Sequence, residues 1–246
     1  MTLYNPASLP KNDNLNRFAF AIDVQENLFI RKGKMIAYYG ALRFEAMGRS
    51  LLDIVVQHAF NAPKYIHDFV VVDGQGHLIL GDQGFDIACY DLDQANMTLR
   101  VENLLGFTRS VTLQESTLPG FVTLLGTGKV IASSNGPVHF LALPCCVDPD
   151  AVLGWADCPT PSYRYDYAHV QGVVAALGAA TGITLSGEEK QMQFTGAGTV
   201  LVQSSERGMG RGEVVHQLLA LLPGLSKTEL AQLGLKAQQL SRDGRG

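Results

Sequence analysis

The chain is predicted to be mainly β: one pseudo-repeated β-sandwich or barrel over residues 18–206. An irregular lead-in (1–17) precedes it, and a linker with a short C-terminal helical hairpin (207–246) follows it. Three observations carry this reading. The phrase GFVTLLGTGKVIASS at 120–134 returns as KQMQFTGAGTVLVQSS at 190–205, so that Gly126 and Gly128 align with Gly196 and Gly198, and Val130 with Val200. A repeat at that separation points to one β-unit copied along the chain. Short apolar runs are punctuated by Gly, Asn, Asp and Pro, and no long helical pattern alternates with them, which argues against a parallel α/β sheet.

Taken in order, Phe18, Phe20, Ile22 and Val24 alternate with small or polar residues as a strand with one buried face. Gln25-Glu26-Asn27 turns the chain into Leu28-Phe29-Ile30. Gly33 to Tyr39 is expected to be a turn running into a strand that Gly40 ends. Leu51 to Phe60 fits either a strand or a helix. Tyr65 to Val72 is expected to be a strand, with Asp73-Gly74-Gln75-Gly76 as a hairpin turn before Leu78-Ile79-Leu80. Two aliphatics, a small residue and an aromatic recur as Leu104–Phe107 and Val152–Trp155, with Met35–Tyr38 as the expected third copy. The glycines of the doubled phrase (Gly126, Gly128, Gly196, Gly198) are expected at tight turns or bulges, since glycine accepts positive φ cheaply.

Three stretches are candidate interaction surfaces. In a strand, Tyr163, Tyr165, Tyr167 and His169 share one face, either as a half-buried aromatic cover or as a stacking platform for bases or sugars. The flanks lack the cations a phosphate backbone needs, which favours the cover. The segment VVAALGAATGIT, with Val173, Val174 and Leu177, fits a helix or loop tucked on the sheet, or an exposed apolar lip for a partner or membrane surface. After the linker, EVVHQLLALL runs to Pro223-Gly224, and Ser226-Lys227-Thr228-Glu229 has the form of a capping box. Leu230, Leu233, Ala237 and Leu240 follow at helical spacing as one apolar stripe.

Motifs that would carry chemistry are missing. There is no G-x-S-x-G elbow, and Gly126-Thr127-Gly128-Lys129 lacks phosphate-loop spacing and is followed by a strand. The six histidines show neither H-x-H nor H-E-x-x-H spacing, so a metal could be held only by residues from distant strands, with His67, His77 and His139 as the cupin-like set. Asp91 and Asp93 share a strand face, but YDLDQAN fits a strand end and turn more simply. The four cysteines form no C-x-x-C pair and are expected to be reduced buried thiols.

A net charge of −4 gives no electrostatic footprint for nucleic acid or an anionic membrane, and 17% charged against 46% hydrophobic residues suits a substantial core. The start, MTLYNPASLPKNDN, has no basic and apolar regions of the signal-peptide type, so a cytoplasmic location is expected.

Gly33 with Met35, Leu105 with Phe107, Gly126-x-Gly128-x-Val130, Leu153–Trp155 and Gly196-x-Gly198-x-Val200 occur in an order and spacing that resembles the family of altered inheritance of mitochondria protein 24. The resemblance covers about residues 18–206. It implies a β fold related to the tryptophan RNA-binding attenuation protein, with no established catalytic site. Mitochondrial members are linked to inner-membrane organisation, a role the resemblance does not transfer here. Cys145-Cys146 and the helical tail depart from the family pattern, so the tail inherits nothing from it.

The expected function is a non-enzymatic assembly or scaffold protein, without cofactors, that self-associates or binds another protein. A membrane surface is a further partner without being spanned, and nucleic acid is disfavoured. The alternatives are a small-ligand or RNA-binding β module and a metal-dependent cupin-like enzyme.

Overall fold

The structure, a computed structural model, describes residues 9–47, 60–157, 160–165 and 190–205. These residues are almost entirely β. In chain order the strands are β1 (Asp13–Asn16), β2 (Ala19–Val24), β3 (Leu28–Arg31), β4 (Met35–Ala46), β5 (Phe60–Asn61), β6 (Phe69–Gly81), β7 (Asp86–Arg100) and β8 (Leu104–Thr108). They continue as β9 (Val111–Glu115), β10 (Phe121–Ser134), β11 (Val138–Ala142), β12 (Cys145–Val147), β13 (Val152–Ala156), β14 (Ser162–Tyr165), β15 (Lys190–Phe194) and β16 (Thr199–Gln203). One 13-stranded sheet follows the path β1-β2-β6-β3-β8-β10-β7-β13-β16-β11, with β4 on β6 and β9 on β10. A three-stranded sheet has the order β12-β15-β14. All pairings are antiparallel except the short β5–β9 contact. The lead-in thus already contributes β1, and the expected helical hairpin of 207–246 lies outside the described residues.

The middle of the large sheet is buried on both faces. Phe29 on β3, Phe107 on β8 and Val130 on β10 join one core, while their neighbours Ile30, Leu105 and Ile131 join the other. Strands covered on both sides are selected as unbroken apolar runs rather than alternating ones. That is the pattern of Leu28–Ile30, Leu104–Phe107 and Val130–Ala132. Phe107 stacks on Phe29 at 4.9 Å and meets Phe69 edge-on at 5.9 Å. A third core gathers Phe121, Trp155 and Phe194, bridging the two sheets.

The repeat shows itself as register. Val130 faces Phe107 and Ile131 faces Gly106, while Val200 faces Trp155 and Leu201 faces Gly154. The close approach explains the small residue: a Cβ on Gly106 would lie 2.7 Å from Phe29 O, and one on Gly154 would lie 2.2 Å from Thr98 O. The unit occurs a third time, but not where Met35–Tyr38 suggested. FVVVDGQGHLILG of β6 matches FVTLLGTGKVIAS of β10 residue for residue, and Leu78 and Ile79 face Ile22 and Ala21 of β2. Ala21-Ile22 is therefore the first counterpart of Gly106-Phe107. Met35–Tyr38 belongs to β4, which pairs along β6 as β7 pairs along β10.

This corrects several turns. Asp73–Gly76 is no hairpin: β6 runs straight through it, and Tyr65–Asp68 before it is part of a 3-10 helix, Pro63–Asp68, opened by Pro63. Gly40 does not end β4, and Gly126–Gly128 runs on inside β10, opposite a bulge at Leu92–Ala95 of an equally continuous β7. Asp91-Leu92-Asp93-Gln94 is thus mid-strand, with Gln94 at φ +48° taking up the extra residue. The glycines let strands touch: a Cβ on Gly74 or Gly76 would sit 2.1 Å from Ala41 O or Tyr39 O. Only Gly196-x-Gly198 separates two strands, carrying the chain from β15 in the small sheet to β16 in the large one.

Candidate functional site

Two surface features stand out. The first is a cleft of about 690 Å³ between β2 and the Thr127–Lys129 stretch of β10. Its floor is the side of a core (Phe20, Ile22, Leu28 and Ile131), and its mouth carries Lys11, Asp23, Glu26, Asp91 and Lys129. Lys129 Nζ donates to Asp91 Oδ1 at 2.5 Å, and this bond holds the ammonium above its ordinary pKa. The Lys129 amide donates to Thr108 Oγ1 at 3.0 Å, and a Cβ on Gly128 would lie 2.3 Å from the same oxygen. The glycine keeps the cleft wall closed by the Thr108 hydroxyl. With two lysines against three acids, the mouth has no sign preference strong enough to select an anion.

The second feature is the start of β4. Ile36 is 60% exposed, Tyr38 47% and Met35 40%, and Phe18 beside them is 43% exposed. Ile36 lies over Gly81, where a Cβ would come within 2.3 Å of Ile36 Cδ1 and 3.3 Å of Phe18 O. The odd face of β4 (Ala37 and Tyr39) instead packs on a small core with Leu9, Ala19 and Ile79. Ion pairs rim the patch: Arg17 to Asp86, and Lys34 to the buried Asp82. Among the described residues β4 pairs with β6 alone, so its other edge is open. Of the seven exposed large hydrophobics among the described residues, five (Phe18, Met35, Ile36, Tyr38 and Phe85) lie between residues 18 and 85. That concentration selects the patch over any scattered exposure.

The buried polar groups serve the frame. Asp82 Oδ1 takes the Lys34 ammonium and Oδ2 accepts the Ser133 hydroxyl at 2.6 Å, tying the end of β6 to the end of β10. Asn103 Nδ2 donates to Ser133 O at 3.0 Å. Ser133 is fully enclosed, so its carboxylate neighbour makes it a strut and not a reachable nucleophile. Burial pushes the Cys89 thiol up to about 11 and raises Tyr90, whose hydroxyl is buried without a hydrogen-bond partner. Cys145 is also raised by burial, whereas Cys146 is exposed, against the expectation of buried thiols, and Cys158 lies outside the described residues.

The sequence-derived candidates are spread out. Tyr163 lies on β14, partly exposed and opposite Met192; Tyr165 ends that strand. Tyr167, His169, Val173, Val174, Leu177, Leu230, Leu233 and Leu240 lie outside the described residues. The three histidines have separate surroundings. His67 offers its carbonyl to Lys32 Nζ at 2.5 Å, His77 Nδ1 is 3.7 Å from Asp23 Oδ1, and His139 Nε2 is 3.0 Å from Ser204 Oγ. Among the described residues, no group of three or more His, Cys, Asp or Glu side chains is placed to hold a metal ion. No described helix is long and apolar enough to cross a membrane. Neither the cleft nor the open edge of β4 was found by sequence reasoning. The absence of any charge from Met35 to Leu42 was the available signal for the latter.

Comparison with known proteins gives the family. The model of the mitochondrial biogenesis AIM24 family matches residues 14–205. The chain belongs to the AIM24 family. The match takes in all three Gly-x-Gly strands, β6, β10 and β15–β16, so the repeated unit is what the AIM24 model spans here. An X-ray structure of a Streptococcus pyogenes protein is similar in fold, with 16% identity and a TM-score of 0.54 over 87% of this chain and 97% of that one. No curated protein matches.

Proposed function

We propose that this AIM24-family chain is a non-enzymatic assembly module that binds protein partners through the apolar start of β4. The observation that carries the reading is the pairing of exposed Met35, Ile36 and Tyr38 with a strand edge that no second strand covers among the described residues. An uncharged edge strand of this length is a template for another chain, and monomeric proteins ordinarily blunt such edges with lysine or proline. The ion-paired rim around an apolar centre is the arrangement of a protein–protein contact. The test is chemical cross-linking of native full-length protein with and without Ile36→Lys/Tyr38→Lys. Loss of every cross-linked product in the variant supports the module; an unchanged product pattern refutes it.

The cleft supports a second reading, a small-ligand binding module, because its size and apolar floor fall in the range of ligand sites. Its mixed-charge mouth speaks against RNA, which would require net positive charge. Thermal-shift screening of wild type against Ile22→Trp, which fills the floor, separates this reading from the first.

A further inference from the structure

We infer that the cleft between β2 and the Thr127–Lys129 stretch of β10 binds a small, singly charged amine with an apolar tail. This rests on the small-ligand reading and names the class of ligand.

Every residue that lines the cleft is described: the lead-in, β2 with the turn after it, and strands β3, β7, β8 and β10 build its walls. The floor is one aromatic and four aliphatic side chains, Phe20, Ile22, Leu28, Leu92 and Ile131, each 5% exposed or less. They are anchored in the cores behind them, so the floor is a fixed apolar wall on which a tail lies flat. A hydrated metal ion or a sugar would leave that wall without an apolar partner.

The rim decides the head group. Both of its ammonium groups are engaged: Lys11 Nζ lies 3.6 Å from Asp23 Oδ2, and Lys129 Nζ donates to Asp91 Oδ1 at 2.5 Å. An anion would have to take a lysine away from its carboxylate. The amides that reach the rim are used as well. Asp23 N donates to Asn12 Oδ1 at 3.2 Å, and the amides of Gln94 and Lys129 donate to Thr127 Oγ1 and Thr108 Oγ1, both at 3.0 Å. Carboxylate oxygens are left over. Glu26, exposed on the turn between β2 and β3, pairs with no cation among the described residues, and Lys129 occupies one oxygen of Asp91. Three acids against two lysines leave a single negative charge, which one ammonium neutralises. A head with N–H donors, a positive charge and no acceptor is what this rim lacks, and a protonated amine is that head. An apolar floor with a few polar groups that set orientation is the usual form of a small-molecule site.

The experiment is a ligand-observed NMR titration of the full chain with octylammonium, octanol and octanoate, which share a tail and differ in the head. Wild type should bind octylammonium about threefold more tightly than octanol, and octanoate most weakly. Glu26→Gln should remove the advantage of octylammonium and leave octanol binding unchanged. Ile22→Trp should weaken octylammonium and octanol alike. Octanol held as tightly as octylammonium, or octanoate held most tightly, overturns the amine while leaving the small-ligand reading intact. An amine preference that survives Glu26→Gln overturns its placement at this rim. No binding of any of the three probes overturns both the amine and the small-ligand reading.

Discussion

β4 and β7 play the same part in two copies of one unit, and their difference shows where this protein keeps its free surface. Each is a long strand lying along a Gly-x-Gly strand in the same register, Tyr38 matching Tyr90. β7 carries Asp91 and Asp93 where it has no second strand among the described residues, Arg17 closes it beside Asp86, and β13 covers it where it is apolar. β4 reverses this. It is uncharged where it is open, and Arg43 and Glu45 come only afterwards. A strand edge exposed to water is normally charged, which is why the uncharged one is the edge proposed to meet a partner. The lesson is that the copied unit supplies the frame, and divergence along one strand type supplies the proposed contact.

The largest effect should come from what ties the two units together. Asp82→Ala leaves the Lys34 ammonium without its carboxylate and the Ser133 hydroxyl with only the longer contact to Asn103 O, and should cost about 3 kcal/mol in urea unfolding. A loss under about 0.5 kcal/mol would mean that the two strand ends are held by something else. Next is Gly74→Ala. At φ +115°, with Ala41 O 2.1 Å from the new methyl, it should cost about 2–3 kcal/mol. Gly33→Ala, with φ +76° and open space, should cost about 1 kcal/mol. Equal losses would show that strand approach, the proposed reason for the glycines of β6, is irrelevant.

The tyrosine pair sharpens the contrast directly. Tyr90→Ala should destabilise by about 3 kcal/mol, as a packed aromatic does, and Tyr38→Ala in the monomer by about 0.5 kcal/mol or less. Tyr90→Phe removes a buried hydroxyl that has no partner, so it should be neutral or stabilising by up to about 1 kcal/mol. A clear loss would reveal a partner for that hydroxyl. The smallest effect is chemical. The Cys89 thiol is raised by burial to about 11, so its thiolate is scarce until the pH nears that value, and alkylation of a variant keeping only Cys89 should stay slow at pH 8 and climb toward pH 11. A variant keeping only Cys146 should react promptly at pH 8; comparable rates would contradict the burial of β7's inner face.

Much of the frame was legible. Phe20, Ile22 and Val24 announced β2 by alternation, and two of the three Gly-x-Gly strands were found from their matching residues. The third was hidden because Asp73-Gly74-Gln75-Gly76 has the composition of a hairpin turn. Composition alone does not distinguish glycines that bend a chain from glycines that admit a neighbouring backbone at 2.1 Å. Met35–Tyr38 was assigned to the wrong strand type for a related reason: two aliphatics, a small residue and an aromatic describe many apolar strands. The candidate surface was less legible still. Exposure of Ile36 and Tyr38 depends on which strands pair with β4, a long-range fact that no local pattern encodes. The cleft likewise arises from Ile22 and Ile131, which lie far apart in the chain.

The most direct measurement is amide hydrogen exchange of full-length protein at low and high concentration, resolved over residues 35–42. If a protein partner covers the edge, as proposed, the β4 amides that do not face β6 gain protection as concentration rises, while those of β7 and β11 do not change. Exchange along β4 that is fast and independent of concentration would contradict the account.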